Sequence, residues 1–487
     1  MSNWETIIGL EIHVQLLTKS KIFSSSSTSY GSSPNKQASY IDLGMPGTLP
    51  VLNKSVIKKA VEFGLAIGAK ISKKSIFDRK NYFYPDLPKS YQISQLEFPI
   101  VEGGTITIVD EENVSKIINL TRAHLEEDAG KSIHSDKNDC TFIDLNRAGT
   151  PLLEIVSEPE MCSAFEAVQY MKKIHNIVTF LKISDGNMQE GSFRCDANVS
   201  VRKVGDRNLG TRTELKNINS FKFVEKAINY EVKRQIEILE EGGKITQETR
   251  LYDENNDVTK SMRSKEEAND YRYFPDPDLL PIEIDEAYIL EIKKSLPELP
   301  EVKEKYYRSE YDLSDEQISI LLSNQDYAKF IDEVIKQSKI EPKKIVNYFI
   351  SSIYSKINKD NLLLSKNSFT AKDFCLVMDS INVGNLSKNN LKTVIEESWV
   401  SKESISIIID KYSNSNEDSD LIDKLIKDVV NKNKKQVEEY KSGKTKILGF
   451  FVGQVLKDSK GSDPSQIKDK IIKVLDAIWE NRNSIKT

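Results

Sequence analysis

The chain is expected to be an α+β protein that turns wholly helical past its midpoint. Up to about residue 290, short alternating runs bounded by turn signals dominate, with two helical stretches among them. Pro297-Glu298-Leu299-Pro300 then punctuates the chain, after which glycine and proline are scarce until Gly443 and the apolar spacing becomes helical. A second break is expected at the polar stretch Tyr412 to Asp418. The expected domains are therefore 1–295, 296–412 and 413–487, which suits a 487-residue chain at about 150 residues per domain.

The bulk numbers narrow the class. Hydrophobic residues make up 38% and charged residues 29%. No run approaches the roughly 18 apolar residues of a membrane helix, and Met1-Ser2-Asn3-Trp4-Glu5 lacks the basic start of a signal peptide. The four cysteines, Cys140, Cys162, Cys195 and Cys375, have neither zinc nor redox spacing. A cytoplasmic protein without membrane attachment is expected. Net charge is −5, yet residues 431–460 carry eight lysines against Glu438, Glu439 and Asp458. Such a segment can dock on phosphate, and a solvated lysine-rich helix face is the alternative.

The first strand is Ile7 to Leu16. Successive strand side chains point to opposite faces, so Glu11, His13 and Gln15 share one face and Leu10, Ile12, Val14 and Leu16 the other. A carboxylate and an imidazole two residues apart can reach one divalent cation; a strand with one wet face is the alternative. In Arg122-Ala123-His124-Leu125-Glu126-Glu127-Asp128, extended geometry puts Arg122, His124 and Glu126 on one side. The triplet Glu126-Glu127-Asp128 is dense in the hard oxygen ligands magnesium requires, or else is a solvated acidic loop. Glu154 stands in the apolar run Pro151 to Val156, where a lone carboxylate is costly unless paired or bound to metal; a salt bridge to Arg147 or another cation competes.

Helices are expected from about Ser163 to Lys182, and from the N-cap Ser220 to Gly242-Gly243. Between them lies the most regular strand. Ser192, Arg194, Asp196, Asn198, Ser200 and Arg202 alternate with Phe193, Cys195, Ala197, Val199 and Val201, and Arg212, Glu214 and Lys216 repeat the pattern. Adjacent strands of this kind can floor a site for nucleotide phosphates and metal, or simply face solvent. Cys195 falls on the apolar face, which argues against a catalytic thiol. Gly130-Lys131-Ser132 and Gly443-Lys444-Thr445 resemble P-loop ends, but Leu125 and Glu438 stand where the first P-loop glycine belongs. Lys260 to Ser264 lacks the partner element of a class I synthetase loop.

Taken together, these segments resemble the B subunit of the tRNA-dependent amidotransferase. The likeness is close over residues 1–300. It rests on Ile7 to Leu16, Phe77 to Lys89, Tyr91 to Gln95, His124 to Lys131, Asp144 to Pro159, Glu190 to Arg202 and Asp270 to Asp278, in the family's order. Lys446 to Lys457 looks like a tail motif shared with small tRNA-interacting proteins. The resemblance implies a glutamine-synthetase-like antiparallel-sheet cradle, then a helical domain and a small all-helical tail. It implies ATP- and Mg2+-dependent phosphorylation of the side-chain carboxylate of glutamate on tRNA(Gln) or aspartate on tRNA(Asn), followed by amidation. Ammonia would come from glutamine through an amidase A subunit, and the heterotrimer would be braced by a small C subunit.

By the same resemblance, Glu11, His13, Glu126 and Glu154 match the metal-binding positions. Arg79, Lys89, Arg147 and Arg194 are the expected phosphate-side cations, with Ser192 and Asp196 on the same polar floor. Lys441, Lys444, Lys446, Lys457 and Lys460 would meet the tRNA backbone, where phosphate contacts position the RNA without reading its sequence. Many relatives carry four zinc-binding cysteines near the first strand. Here Ser24, Ser26, Ser39 and Asp42 stand instead, so no zinc is expected and packing must hold that loop. A noncatalytic RNA-binding scaffold and a ligase acting on a free small-molecule carboxylate are the competing functions.

Overall fold

The computed structural model describes residues 3–134, 140–264, 271–360, 362–364, 368–401, 403–413, 416–441, 444, 447–458 and 467–475. The chain divides into two compact units, Met1–Lys303 and Glu304–Thr487.

The first unit is built on a ten-stranded sheet with Trp4–Gln15 at its centre. This strand pairs antiparallel with Phe193–Lys203 on one side and Pro151–Ser157 on the other, and the latter pairs with Ser115–Glu127. The alternation read from the sequence explains why it lies here. Ile8, Leu10, Ile12 and Val14 are at most 1% exposed, and the helices Ala164–Phe180 and Phe221–Glu240 belong to this half of the molecule. Both helices start where a serine supplies the cap. Ser163 Oγ accepts the Glu166 amide at 3.1 Å, and Ser220 Oγ accepts the Phe223 amide at 3.1 Å. The opposite sheet face keeps the polar members of each strand, and the site lies there.

The antiparallel expectation needs one correction. Thr213–Lys216 and Glu248–Asp253 pair in parallel. The reason is topological: the 20-residue helix Phe221–Glu240 carries the chain between them, and a crossover of that length returns a strand in the same direction.

The loop after the first strand is held by more than packing. Phe23 does pack edge-on against Phe77 at 5.2 Å. In addition Lys21, fully buried, donates to Asp42 Oδ2 at 3.2 Å and to the Leu145 carbonyl at 3.2 Å. Asp42 also accepts from Ser24 Oγ at 2.9 Å and from the Ser39 amide at 2.8 Å. A buried ion pair with its own hydrogen bonds therefore knits Ser24, Ser39 and Asp42 together.

Among its described residues the second unit's regular elements are helices, with one isolated antiparallel bridge between Leu386 and Ser413. Within it, a buried cluster joins Ile426 and Val430 to Phe451, Val455, Ile467, Ile471 and Leu475. The polar stretch expected as a linker is shorter than its composition suggests, because a helix already begins at Asn416.

Candidate functional site

Strand register assembles the site. On the polar face, Arg194, His13, Glu154 and His124 form one cross-strand row, since His13 is paired with Arg194 and Glu154, and Glu154 with His124. The next row holds Asp196, Glu11, Val156 and Arg122, and the row on the other side holds Gln15, Leu152 and Glu126. Residues far apart in the chain thus converge because four strands run in alternating directions past one another.

The side chains meet closely. His13 Nε2 lies 3.4 Å from Glu154 Oε2, 3.7 Å from Glu126 Oε1 and 3.7 Å from Glu11 Oε1. His124 Nε2 lies 3.4 Å from Glu154 Oε2, while its Nδ1 accepts from Arg122 Nε at 3.3 Å. That bond leaves Nε2 to carry the proton towards Glu154. Two sets of three ligand atoms each fall within 4.8 Å of one another: Glu11, His13 and Asp196, and His13, Glu126 and Glu154. His13 belongs to both.

The electrostatics are those of an acidic pocket. Burial, reinforced by Glu154, pushes the Glu11 carboxyl up to about 7. Burial works against the His13 imidazolium, but its bond to Glu154 and the charges of Glu154, Glu126 and Glu11 raise it to about 9. Burial also opposes the Glu154 carboxylate, yet the two histidines hold it well below the usual range.

This donor set fits a divalent metal ion. Glu126 and Glu154 are 2% and 6% exposed, so their charges are withdrawn from water. Buried carboxylates this close repel unless a cation lies between them; the His13 imidazolium supplies one such charge, and a divalent ion would take its place by displacing the proton. Hard carboxylate oxygens with an imidazole suit Mg2+ or Mn2+.

The other expected site residues are engaged as follows. Asp196 Oδ2 takes Lys216 Nζ at 2.7 Å. Arg194 Nη2 donates to Asp128 Oδ2 at 2.9 Å. Arg147 donates to the carbonyls of Ala129 at 3.0 Å and Gly130 at 2.7 Å. Lys89 is paired with Glu127, and Arg79 is clamped by Asp276 and Asp278 at 2.8 Å each while lying over the Tyr91 ring. Ser192 is buried, and its carbonyl accepts the Gln15 amide at 2.8 Å. Lys457 is exposed on the helix Leu448–Asp458, and Lys444 is exposed 3.6 Å from Glu439. Lys441 ends the helix Lys434–Lys441. Lys446 and Lys460 lie outside the described residues.

The acidic triplet does not act as one cluster. Glu126 faces the histidines, whereas Glu127 accepts the Ile93 amide at 2.8 Å and Asp128 accepts from Gln15 and Arg194. Alternation turns Glu127 to the opposite face of the strand, and Asp128, just past the strand end, is drawn to Gln15 and Arg194.

Two further cations act on the cluster: Lys80, which the sequence reading of the site missed, and Lys216, which it put on the polar floor. Lys80 has its ammonium 5.0 Å from the Tyr271 ring centroid. Burial disfavours its charge, but Glu126, Tyr273 and Glu154 hold it above the ordinary lysine range. Lys216 is held the same way by Asp196 and Glu214, again against burial. Strand alternation was the available signal for both. Lys80 stands one residue from Arg79 in Asp78–Asn81, and Lys216 two from Glu214.

Sequence comparisons place the chain in a family. Residues 6–290 match the family model described as the GatB/GatE catalytic domain, and residues 329–475 match the GatB domain. The B subunit of the aspartyl/glutamyl-tRNA(Asn/Gln) amidotransferase of Alkalilimnicola ehrlichii is 54% identical, covering 97% of this chain and 100% of its own length. The proteins of that name from Halorhodospira halophila and Thioalkalivibrio sulfidiphilus are 51% and 53% identical, each covering 97% of this chain and 99% of their own. This chain belongs to the family of tRNA-dependent amidotransferase B subunits.

Proposed function

We propose that this chain activates the side-chain carboxylate of glutamate or aspartate esterified to tRNA by phosphorylating it with ATP, and then hosts its conversion to the amide. A carboxylate oxygen attacks the γ-phosphorus, and the bond to the ADP oxygen breaks. Ammonia nitrogen then attacks the acyl carbon, phosphate leaves, and one proton is lost to solvent. The observation that carries this reading is the cross-strand row Arg194–His13–Glu154–His124 flanked by Glu11, Glu126 and Asp196.

Glu11, His13, Glu126 and Glu154 would hold Mg2+. When bound, that ion neutralises phosphate charge as the phosphoryl group moves. Phosphoryl transfer asks a protein mainly for positioning and fixed charge. Arg194, Arg147 and Lys80 supply the positive side of that field, and Lys216 holds Asp196 in place. The exposed Lys444 and Lys457 give the tRNA backbone a landing surface.

The nitrogen source is a partner. Cys195 is buried and its thiol is raised well above the usual range by burial, so it is no glutaminase nucleophile. An amidase A subunit delivering ammonia, with a small C subunit, completes the assembly.

The test is reconstitution. The chain with its A and C subunits, given ATP, glutamine and mischarged tRNA(Gln) or tRNA(Asn), is expected to yield Gln-tRNA or Asn-tRNA, identified by the amino acid released on hydrolysis. Glu126→Gln is expected to lower the rate at least 100-fold while tRNA binding persists. Unchanged amidation by that variant would refute the assignment.

A further inference from the structure

Two arginines beside the cluster share one carboxylate. Asp128 Oδ2 accepts from Arg194 Nη2 at 2.9 Å and from Gln15 Nε2 at 3.1 Å, and Arg147 Nε lies 3.6 Å away. The second oxygen, Oδ1, takes the Ala129 amide at 3.0 Å. Asp128 is 5% exposed, so these bonds form out of water.

Its neighbours are informative. Asp128 follows Glu126 by two residues, Gln15 follows His13 by two, and Arg194 is the cross-strand partner of His13. One carboxylate therefore ties together the ends of the strands that carry the carboxylate–imidazole cluster. Two guanidiniums against one carboxylate leave a net positive charge on this side. Arg194 Nε is buried with no hydrogen-bond partner, so the guanidinium is held from one side only.

Fixing an arginine side chain costs rotamer entropy, so it stays fixed only where a partner holds it. Without Asp128, the remaining carboxylates that act on Arg194 are Glu126 and Asp196. A released guanidinium would turn towards those groups and neutralise the charge meant for a divalent ion.

We propose that Asp128 is a positioning residue for phosphoryl transfer, holding Arg194 beside Arg147, which the Ala129 and Gly130 carbonyls fix, so that their spare positive charge meets the transferring phosphoryl group instead of collapsing onto Glu126. The inference rests on the function proposed above. It adds a residue outside the candidate ligand sets, and a reason for the two arginines to converge.

The test uses the reconstituted heterotrimer with mischarged tRNA, ATP and glutamine. Asp128→Asn is expected to lower kcat about 100-fold, the scale of a misplaced catalytic group, with KM for the aminoacyl-tRNA within threefold. Groups acting as one unit are non-additive. Asp128→Asn combined with Arg194→Lys should therefore fall no more than threefold below the worse single variant. Near wild-type kcat in Asp128→Asn, or losses that multiply, would overturn the proposal. If Asp128→Asn fails to assemble, Gln15→Leu with Arg194→Lys carries the same non-additivity test. Glu154→Gln separates the two readings. If it remains active, the phosphorylation site itself is wrong; if it is dead while Asp128→Asn is normal, only the positioning role fails.

Discussion

Single side chains show how charge replaces other fastenings in this molecule. Lys21 and Asp42 form an ion pair with 0% and 3% of their side chains exposed. Removing one partner of such a pair strands the other, which typically costs about 3–5 kcal/mol. Asp42→Ala is therefore expected to lower the melting temperature sharply, and Ser24→Ala, which removes one hydrogen bond from an intact pair, by much less. Equal shifts for the two variants in thermal unfolding would mean that packing around Phe23 carries the loop. At this scale the sequence was only partly legible. Strand alternation revealed that Glu11 and His13 share a face, and that Glu154 is a carboxylate within an apolar run. It did not reveal that Lys21 would be the partner of Asp42, because that contact depends on how a long irregular loop returns to the sheet.

Elements are joined by buried polar networks as well as by apolar faces. The helix Phe221–Glu240 carries Glu231, which is fully buried. Glu231 accepts from Thr213 Oγ1 at 2.8 Å, Gln235 Nε2 at 2.9 Å and Thr259 Oγ1 at 3.1 Å, and Arg234 and Arg250 flank it at 2.6 and 3.3 Å. It thereby pins the helix to the two strands on either side of Glu248–Asp253, which are Thr213–Lys216 and the edge strand Val258–Ser264. Burial opposes its charge, but Arg234 and Gln235 hold the carboxyl below its usual value. A carboxyl depressed in the folded state stabilises fully above its unfolded pKa of about 4.3, and that contribution is lost as pH falls through the folded value. Glu231→Gln is expected to lose about 3 kcal/mol at pH 7, with the gap to wild type narrowing below about pH 4. A constant gap from pH 7 to pH 3 in denaturant titrations would contradict this.

Helices were the most legible elements. The serine caps and the Gly242-Gly243 stop bracket Ala164–Phe180 and Phe221–Glu240 closely. Strand direction was less so. Nothing in Thr213–Lys216 announces that its neighbour Glu248–Asp253 runs parallel, since that follows from where the intervening helix deposits the chain.

Across the whole chain, the site exists only because distant segments fold onto one sheet. Glu11, Glu126, Glu154 and Asp196 are brought together by register, and register is set by the apolar faces of four strands. A one-residue slip would turn every member away from the others. Local sequence exposed each polar face separately; their convergence required the strand order Phe193–Lys203, Trp4–Gln15, Pro151–Ser157, Ser115–Glu127. The family resemblance pointed to that convergence, where periodicity alone left a solvated sheet equally open.

The central claim is that Glu11, His13, Glu126 and Glu154 form one divalent-cation site, and Mn2+ binding followed by electron paramagnetic resonance measures it directly. The expected result is a single Mn2+ site in the wild type, weakened at least tenfold by His13→Ala and by Glu154→Ala alike, and unaltered by Lys457→Ala. Wild-type Mn2+ affinity in either of the first two variants would contradict it.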